Sequence, residues 1–240
     1  MISNLKDKVA VISGASHGLG RALAETLAAA GAHSVLIARR PEPLIDAAEA
    51  ISAAGGAASV YACDVADSAQ VLDTAATIHA AFGKIDILIN NAGIPAPRTF
   101  EDTGISDWDE VIGVNLSGVF YLTRALWSSL CAADSAYVIN ISGTAGLRGG
   151  GSPAYGGSKF GLTGLNHAIA QAGAAHNIRA TILYPGGMDT GWRGAPIGVL
   201  PRSESMDPHV VARMIAQLLA TPAEFVVNEA VLNPLDYPFK

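Results

Sequence analysis

Short runs of apolar, β-branched residues alternate with longer segments of helical periodicity along this chain. The pattern predicts strands over 9–13, 34–38, 59–63, 85–89, 136–142, 179–183 and 225–232. It predicts helices over 19–30, 43–54, 69–82, 108–131, 155–176 and 208–219. Such alternation is typical of a parallel sheet with right-handed crossovers. We therefore expect an α/β fold of about seven parallel strands with helices on both faces, forming one domain over residues 1–240.

Residues 186–207 break this alternation, because they combine glycines and prolines with weak periodicity. A long loop inside a compact domain is more often a lid or a binding loop than a linker. This loop follows the carboxyl end of a predicted strand, which is where open α/β sheets bind ligands. We expect it to cover a substrate site, with Trp192 either facing the substrate or packed elsewhere.

Composition and charge narrow the class of protein. Half of the residues are hydrophobic and 15% are charged, which allows a large buried core. The formal net charge of −6 provides no basic surface for nucleic acid, so we expect no such partner. Cys63 and Cys131 show neither metal-ligand nor disulfide spacing, so no metal site is expected. No apolar run is long enough to cross a bilayer, and we expect no membrane partner and a cytoplasmic location.

A glycine-rich turn joins the first predicted strand to the first predicted helix. Its glycines follow a G-x-x-x-G-x-G spacing. Glycine allows a tight turn and lets backbone N–H groups approach a diphosphate at the amino terminus of a helix. The alternative is a glycine-rich turn that binds no ligand. We interpret the segment as part of a dinucleotide site, and the residues expected to contact the cofactor are Gly14, Ser16, His17, Gly18, Leu19 and Gly20.

The end of the second predicted strand indicates which nicotinamide cofactor is bound. An NAD site commonly places a carboxylate there, whereas arginine accommodates the 2′-phosphate of NADP. In this chain the position is Ala38, followed by Arg39 and Arg40, and His17 offers a further donor. We therefore predict NADP(H), with NAD(H) as the less favoured cofactor. The alternative is that both arginines are simply solvated.

Tyr155 and Lys159 lie one helical turn apart at the start of a predicted helix, so their side chains share a face. A phenol, with a pKa of about 10, is a poor acid or base at neutral pH. A neighbouring ammonium stabilises the phenolate and lowers the pKa of the phenol towards the working range. Pairs with this spacing are also common on protein surfaces, so the pair becomes informative only together with the glycine turn.

Together these motifs resemble those of the short-chain dehydrogenase/reductase family, and ordered matches extend over nearly the whole chain. The resemblance implies a single-domain, Rossmann-type doubly wound fold, use of NADP(H), and assembly into homodimers or homotetramers. Further positions match the family's cofactor-binding and catalytic motifs; they are Asp64, Val65, Asn90, Asn91, Ala92, Gly93, Asn115, Pro185, Gly186, Met188 and Thr190.

The resemblance also implies a role for each residue of the catalytic group. Tyr155 donates a proton to a carbonyl oxygen as hydride reaches the carbon, or accepts it in the reverse direction. Lys159 holds the nicotinamide ribose and lowers the pKa of the tyrosine, and Asn115 holds a water that links Lys159 to solvent. The implied activity is hydride transfer between NADP(H) and a small carbonyl or alcohol substrate.

The chain departs from the family pattern after the fifth predicted strand, where the family has a catalytic serine. Aligned from the strand, that position falls on Gly143; aligned by its distance from Tyr155, it falls on Ser142, and Thr144 offers another hydroxyl. We assign Ser142 as the fourth catalytic residue. If neither hydroxyl reaches the site, turnover should be slow. The alternative function is then an NADP(H)-binding regulatory or sensor protein with little catalysis.

Two further expectations concern the substrate and the assembly. The substrate pocket should be bounded by residues 95–98, 147–153 and the loop that contains Trp192. Arg98, Arg148 and Arg193 are candidate anion contacts, although the ordinary expectation is that each faces solvent. The Tyr155 helix is dense in glycine and alanine, which we interpret as a subunit interface. The alternative is tight packing inside one subunit.

Overall fold

The computed structural model describes residues 5–149, 152–192, 197–199, 201 and 204–236. Within these ranges seven strands form one parallel sheet in the order β3-β2-β1-β4-β5-β6-β7. The prediction of a Rossmann-type doubly wound α/β fold is confirmed. The strands are β1 (Val9–Ser13), β2 (His33–Ala38), β3 (Ala57–Ala62), β4 (Ile87–Asn90), β5 (Ala136–Ile141), β6 (Ile178–Pro185) and β7 (Glu229–Leu232).

Helices connect the strands and cover both faces of the sheet. They are α1 (Gly18–Ala29), α2 (Pro41–Ala53), α3 (Ser68–Phe82), α4 (Ile105–Ile112), α5 (Gly118–Ala125), α6 (Trp127–Cys131), α7 (Ala145–Arg148), α8 (Pro153–Ala174) and α9 (Pro208–Leu219). Among the described residues, none of these helices combines the length and the hydrophobicity needed to cross a membrane.

The buried core lies in two layers, one on each face of the sheet. In β1, Ala10 and Ile12 point into the layer formed with α1, α2 and α9, whereas Val11 points into the opposite layer with α3, α5 and α6. All three side chains are fully buried. A strand covered on both faces is apolar at successive positions, since its side chains alternate between two dry layers. This explains why the strands appear in the sequence as uninterrupted apolar runs.

A chain of buried hydrogen bonds connects the centre of the sheet to α8. The Asn90 amide donates to Thr123 Oγ1 at 3.0 Å and to Asn140 Oδ1 at 2.8 Å. The Asn140 amide in turn donates to Asn166 Oδ1 on α8 at 2.9 Å. These four side chains are all buried. The hydrogen bonds replace water around the amide nitrogens and tie α8 to β4 and β5, whereas the buried Asn90 Oδ1 accepts from no described residue.

The helix predicted over 108–131 is divided in the structure. α4 leads into a π-helical turn, Gly113–Ser117, and α5 and α6 follow. Gly118 permits a close approach to the β3–α3 connection, because a Cβ there would lie 2.9 Å from the carbonyl oxygen of Val65. A π turn inserts into an α-helix with little change in the hydrophobic pattern, so the periodicity alone predicts one long helix.

Two smaller differences from the predicted elements concern the start of the last strand and one short helix. β7 begins at Glu229, whereas the predicted strand began at 225. The segment before it instead forms a loop in which the Arg179 guanidinium donates to the carbonyl oxygens of Thr221, Pro222 and Phe225. The short helix α7 was not predicted, since four residues are too few to show a helical period.

Candidate active site

The glycine turn between β1 and α1 requires glycine at three positions. Gly14 and Gly18 adopt φ values of +66° and +56°, in the left-handed region that favours glycine. A Cβ on Gly14 would lie 2.8 Å from the Cα of Ala92, and a Cβ on Gly20 would collide with the Gly14 carbonyl. The Asn91 amide also donates to the Gly14 carbonyl at 3.2 Å. The turn is therefore held close against the end of β4 and leaves its backbone exposed to a ligand.

A cleft of about 230 Å³ opens beside this turn. Ser16, His17, Asp64 and Val65 line it together with Arg39 and Arg40. Ser16 Oγ and His17 Nδ1 lie 2.9 Å apart. Both arginines are exposed, and neither forms an ion pair or hydrogen bond with another described residue. The cleft thus presents two guanidiniums that are available for an anion such as a 2′-phosphate.

A second cavity of about 720 Å³ adjoins the first and shares Gly14, His17, Ala92, Gly93 and Trp192 with it. Most of the remaining predicted site residues line this cavity. They are Gly18, Leu19, Asn91, Ser142, Tyr155, Lys159, Pro185, Gly186, Met188 and Thr190. Gly20 and Asn115 do not line either cavity; they pack directly behind the walls.

Tyr155 and Lys159 lie on the first turns of α8, which begins where the Ser152 hydroxyl accepts a hydrogen bond from the Tyr155 N–H at 3.4 Å. Lys159 Nζ lies 5.6 Å from the centre of the Tyr155 ring and donates to the Ile141 carbonyl at 2.9 Å. The Lys159 side chain is buried, and burial lowers its pKa from 10.5 to about 8. A buried ammonium beside a phenol favours the phenolate.

Asn115 lies on the π-helical turn and fastens the loop after β4 to α8. Its Oδ1 accepts from the Ile94 N–H at 2.8 Å, and its Nδ2 donates to the Ile94 carbonyl at 3.1 Å and to Ser158 Oγ at 3.3 Å. A Cβ on Gly93 would lie 3.4 Å from Asn115 Oδ1 and 3.7 Å from Lys159 Nζ. The amide and the ammonium therefore border the same small space. π-helical turns often mark functional positions.

The structure favours Gly143, not Ser142, at the position beside the phenol of Tyr155. Ser142 is buried, and its hydroxyl is directed to the Lys159 carbonyl at 3.4 Å. A Cβ on Gly143, by contrast, would lie 2.9 Å from the Tyr155 hydroxyl oxygen. The assignment of Ser142 as the catalytic hydroxyl is therefore not supported, because its side chain leaves the strand towards the backbone of α8. Thr144 lines the cavity and remains the other hydroxyl of this segment.

Trp192 occupies a central place that the sequence did not specify. Its ring is 6.4 Å from that of Tyr155, with an angle of 60° between the planes. Its outer edge would lie 3.7 Å from a Cβ on Gly93. Because Trp192 lines both cavities, it lies at their junction. Its position on a glycine-rich loop indicated that the indole would be accessible to solvent. The sequence did not indicate which way the indole points.

The loop predicted as a lid is described only in part, since residues 193–196, 200 and 202–203, including Arg193, lie outside the described ranges. At its base Met188 pairs with Met206 in a parallel bridge, and the Asp189 N–H donates to the Met206 carbonyl at 2.9 Å. The Asp189 carboxylate accepts from the Gly198 N–H at 2.9 Å. The first residues of the loop, among them Met188, Thr190 and Trp192, line the larger cavity.

Sequence reasoning also missed two groups that position Tyr155 and Lys159. The Ile141 carbonyl holds Lys159 Nζ, and the Ser158 hydroxyl accepts from Asn115 while donating to the Tyr155 carbonyl at 2.8 Å. A backbone carbonyl leaves no trace in a sequence, whereas Ser158 lies between Tyr155 and Lys159 and could have been named.

The residues fit a nicotinamide dinucleotide phosphate. The glycine turn lines both cavities, and α1 begins there without a side-chain hydrogen bond from its N-cap residue, so its first N–H groups can meet a diphosphate. Ala38 replaces the carboxylate that would repel a 2′-phosphate. Among the described residues, no group of three or more histidine, cysteine, aspartate or glutamate side chains is arranged to hold a metal ion.

Most of the chain is similar in sequence to known proteins. A family model described as short chain dehydrogenase matches residues 8–195. The acetoacetyl-CoA reductase of Rhizobium meliloti is 34% identical, covering 93% of this chain and 95% of that protein. The 3-oxoacyl-acyl-carrier-protein reductase of Escherichia coli is 31% identical, covering 95% and 96%.

Solved structures agree with the sequence matches. An alcohol dehydrogenase from the archaeon Thermococcus sibiricus, complexed with 5-hydroxy-NADP, superposes with a TM-score of 0.91 at 26% identity, covering 97% of this chain and 99% of that one. A metagenomic short-chain oxidoreductase in complex with NADP gives a TM-score of 0.82 at 33% identity, with the same coverage.

Proposed function

The chain belongs to the short-chain dehydrogenase family, and we propose that it is an NADP(H)-dependent oxidoreductase that transfers a hydride between the nicotinamide and the carbonyl or alcohol carbon of a small organic molecule. The observation that carries this proposal is the placement of Tyr155 and Lys159 in one cavity with the glycine turn. Oxidoreductase activity on carbonyl or alcohol groups is the common property of the family.

The proposed reaction balances one hydride with one proton. NADPH, when bound, supplies the hydride that reduces the carbonyl carbon. Tyr155 gives its hydroxyl proton to the carbonyl oxygen, which becomes the alcohol, and then recovers a proton from solvent. In the oxidation direction the phenolate removes the alcohol proton. The phenol must therefore exchange protons near neutral pH.

Lys159 makes this exchange possible through its charge. Its Nζ is fixed by the Ile141 carbonyl, so the ammonium remains beside the phenol when Tyr155 loses its proton. Burial strengthens the interaction, because little water screens the two groups. Asn115 keeps the loop after β4 in contact with α8 and borders the space next to Lys159, where a water can link the ammonium to solvent.

The preference for NADP(H) is supported by Arg39 and Arg40. Both line the smaller cavity at the end of β2, and Ala38 precedes them where a carboxylate would favour NAD(H). Two similar solved structures are complexes with 5-hydroxy-NADP and NADP. NAD(H) is the less favoured cofactor.

A second candidate function follows from Gly143. With glycine beside the phenol, the substrate oxygen receives no side-chain hydroxyl from this position, which lowers transition-state stabilisation. This observation favours a regulatory or sensor protein that binds NADP(H) with little catalysis. Against it, Tyr155, Lys159 and Asn115 are all present and mutually arranged.

A Tyr155→Phe variant separates the two functions. The wild type should oxidise NADPH with at least one member of a broad panel of aldehydes and ketones. Tyr155→Phe should lose roughly a hundredfold or more of that rate while it binds NADPH as before, measured by nicotinamide fluorescence. Tyr121→Phe on α5 removes the same atom away from the site and should leave the rate unchanged. NADPH binding without reduction of any carbonyl by the wild type would favour the sensor.

We also propose that the chain acts as one domain with a substrate-covering loop and assembles into homodimers or homotetramers. The small residues of α8 support this only in part. Gly157 and Gly161 are packed against Trp108 and Leu116 of the same chain, whereas Gly164 faces open space. Phe160, also on α8, is half exposed and is available for a subunit contact. Light scattering on the purified protein tests the assembly; the cytoplasmic location stays a prediction.

A further inference from the structure

The larger cavity carries charge of one sign. Among the described residues that line it, Arg98 and Lys159 are basic, and none is an aspartate or glutamate. The chain as a whole has a formal net charge of −6, so the sign of the charge in this cavity is opposite to that of the whole chain. His17 flanks the glycine turn, and Lys159 is fixed on the Ile141 carbonyl beside Tyr155. Neither the proposed cofactor site nor the proton transfer uses Arg98.

Arg98 is presented by a short, stiff arm. It follows the segment 94–97, Ile-Pro-Ala-Pro, in which each proline fixes its own φ and keeps the residue before it extended. The base of the arm is anchored, since Asn115 binds both the N–H and the carbonyl of Ile94. The arm is therefore fastened to the residue that borders Lys159. An arginine presented in this way loses less conformational freedom on binding a ligand.

The guanidinium of Arg98 is exposed and forms no ion pair or hydrogen bond with another described residue. Its five N–H donors are consequently available to a ligand. A planar guanidinium binds the oxygens of a carboxylate or a phosphate through two parallel hydrogen bonds. A ligand that fills the cavity also removes water from around the pair, which strengthens the attraction.

We propose that the substrate of this oxidoreductase carries an oxyanion group, a carboxylate or a phosphate monoester, which Arg98 binds while the carbonyl contacts Tyr155. The inference rests on the proposed function and makes Arg98 a specificity-determining residue. Hydride and proton transfer are the same for charged and neutral substrates. The charge therefore changes which carbonyl compounds are reduced, chiefly through KM.

Matched substrate pairs test this proposal. The carboxylate arm uses 2-oxobutanoate, 3-oxobutanoate, 4-oxopentanoate and 5-oxohexanoate, each against its methyl ester. The phosphate arm uses dihydroxyacetone phosphate against dihydroxyacetone. In at least one pair the wild type should prefer the charged member by roughly tenfold or more in kcat/KM. Whether the preference appears in the carboxylate pairs or in the phosphate pair identifies the anionic group that Arg98 binds.

Arg98→Gln should remove that preference by raising KM for the charged member, with the neutral member and the Kd of NADPH unchanged. Arg124→Gln on α5 removes the same charge from an exposed residue outside both cavities and should have no effect. Neutral members reduced as well as charged ones in every pair, or equal losses for both members in Arg98→Gln, would overturn the inference. If wild type reduces neither member of any pair but reduces another carbonyl of the broad panel, the inference is overturned and the proposed function stands; if it reduces no carbonyl of either set, the proposed function itself fails.

Discussion

The backbone of Gly143 faces the phenol of Tyr155, and a Cβ on the glycine would lie 2.9 Å from the phenol oxygen. The hydroxyl of the preceding residue, Ser142, is directed to the Lys159 carbonyl instead. The phenol therefore meets bare backbone on this side. A substrate oxygen bound to Tyr155 finds no side-chain donor at residue 143.

Gly143→Ser should raise kcat for carbonyl reduction about tenfold above Gly143→Ala. Both variants add the same Cβ, which requires the phenol to move by a few tenths of an ångström, but only serine adds a donor for the substrate oxygen. Steady-state kinetics with NADPH and the best carbonyl of the panel measure the difference. Equal rates in the two variants would show that a hydroxyl at this position does not help.

The buried ammonium of Lys159 should make stability depend on pH. Its folded pKa, about 8, lies below the unfolded value of 10.5, so between these pH values the unfolded chain binds one more proton than the folded chain. The free energy of unfolding contributed by this group therefore rises with pH across that window and is lowest below pH 8. Relative to Lys159→Met, the wild type should gain about 3 kcal/mol between pH 7.5 and 10.5.

Urea unfolding of wild type and Lys159→Met at several pH values measures this gain. The comparison removes the titration of every other group, because both proteins share it. A difference in unfolding free energy that stays constant from pH 7.5 to 10.5 would contradict a lowered pKa of Lys159 in the folded protein.

Arg39→Ala should raise the Kd of NADPH by roughly tenfold and leave the Kd of NADH unchanged, because only NADPH carries a 2′-phosphate that can accept charge-assisted hydrogen bonds from the guanidinium. Arg39→Asp should raise the ratio of the Kd of NADPH to the Kd of NADH further, because its carboxylate repels the 2′-phosphate. Arg124→Ala, remote from both cavities, is the matched control. An unchanged ratio of the two constants in Arg39→Asp would contradict the assignment of Arg39 to the phosphate.

Trp192 should report cofactor binding through its fluorescence. Its indole lies at the junction of the two cavities and 6.4 Å from the ring of Tyr155, so a reduced nicotinamide bound there accepts energy from it efficiently. Trp192→Phe should lose most of the quenching that NADPH causes in the wild type. Trp108→Phe and Trp127→Phe, on α4 and at the start of α6, should keep it. Full quenching in Trp192→Phe would place the indole away from the cofactor.

The fold was predictable because its main signals are local. The apolar strands, the glycine turn and the spacing of helices all follow from contacts within one β-α-β unit. The division of the helix over 108–131 was not predictable, since the π turn at Gly113–Ser117 arises where Gly118 packs on Val65, far away in the sequence. The loop ahead of β7 likewise depends on Arg179.

In the site too, features set by local sequence were predictable and features set by distant contacts were not. Motif positions such as Tyr155 and Lys159 were predictable because the family pattern fixes both residue type and spacing. The directions of Ser142 and Trp192 were not, because a side chain's direction depends on the backbone around it. A shift of one residue along the chain decides whether a hydroxyl after β5 faces the phenol of Tyr155 or the backbone of α8. The sequence could be aligned with the family pattern in either way, with Ser142 or with Gly143 at the serine position.

The hydrogen-bonded amides of Asn90, Asn140 and Asn166 have a consequence for how this molecule can move. Rotating α8 by a single residue would leave at least one of these groups without a partner in a dry interior, at a cost of about 1–3 kcal/mol for each. The helix that carries Tyr155 and Lys159 is thus locked in register with the sheet. Ligand entry and departure must then be accommodated by the surrounding loops, while Tyr155 keeps a constant position.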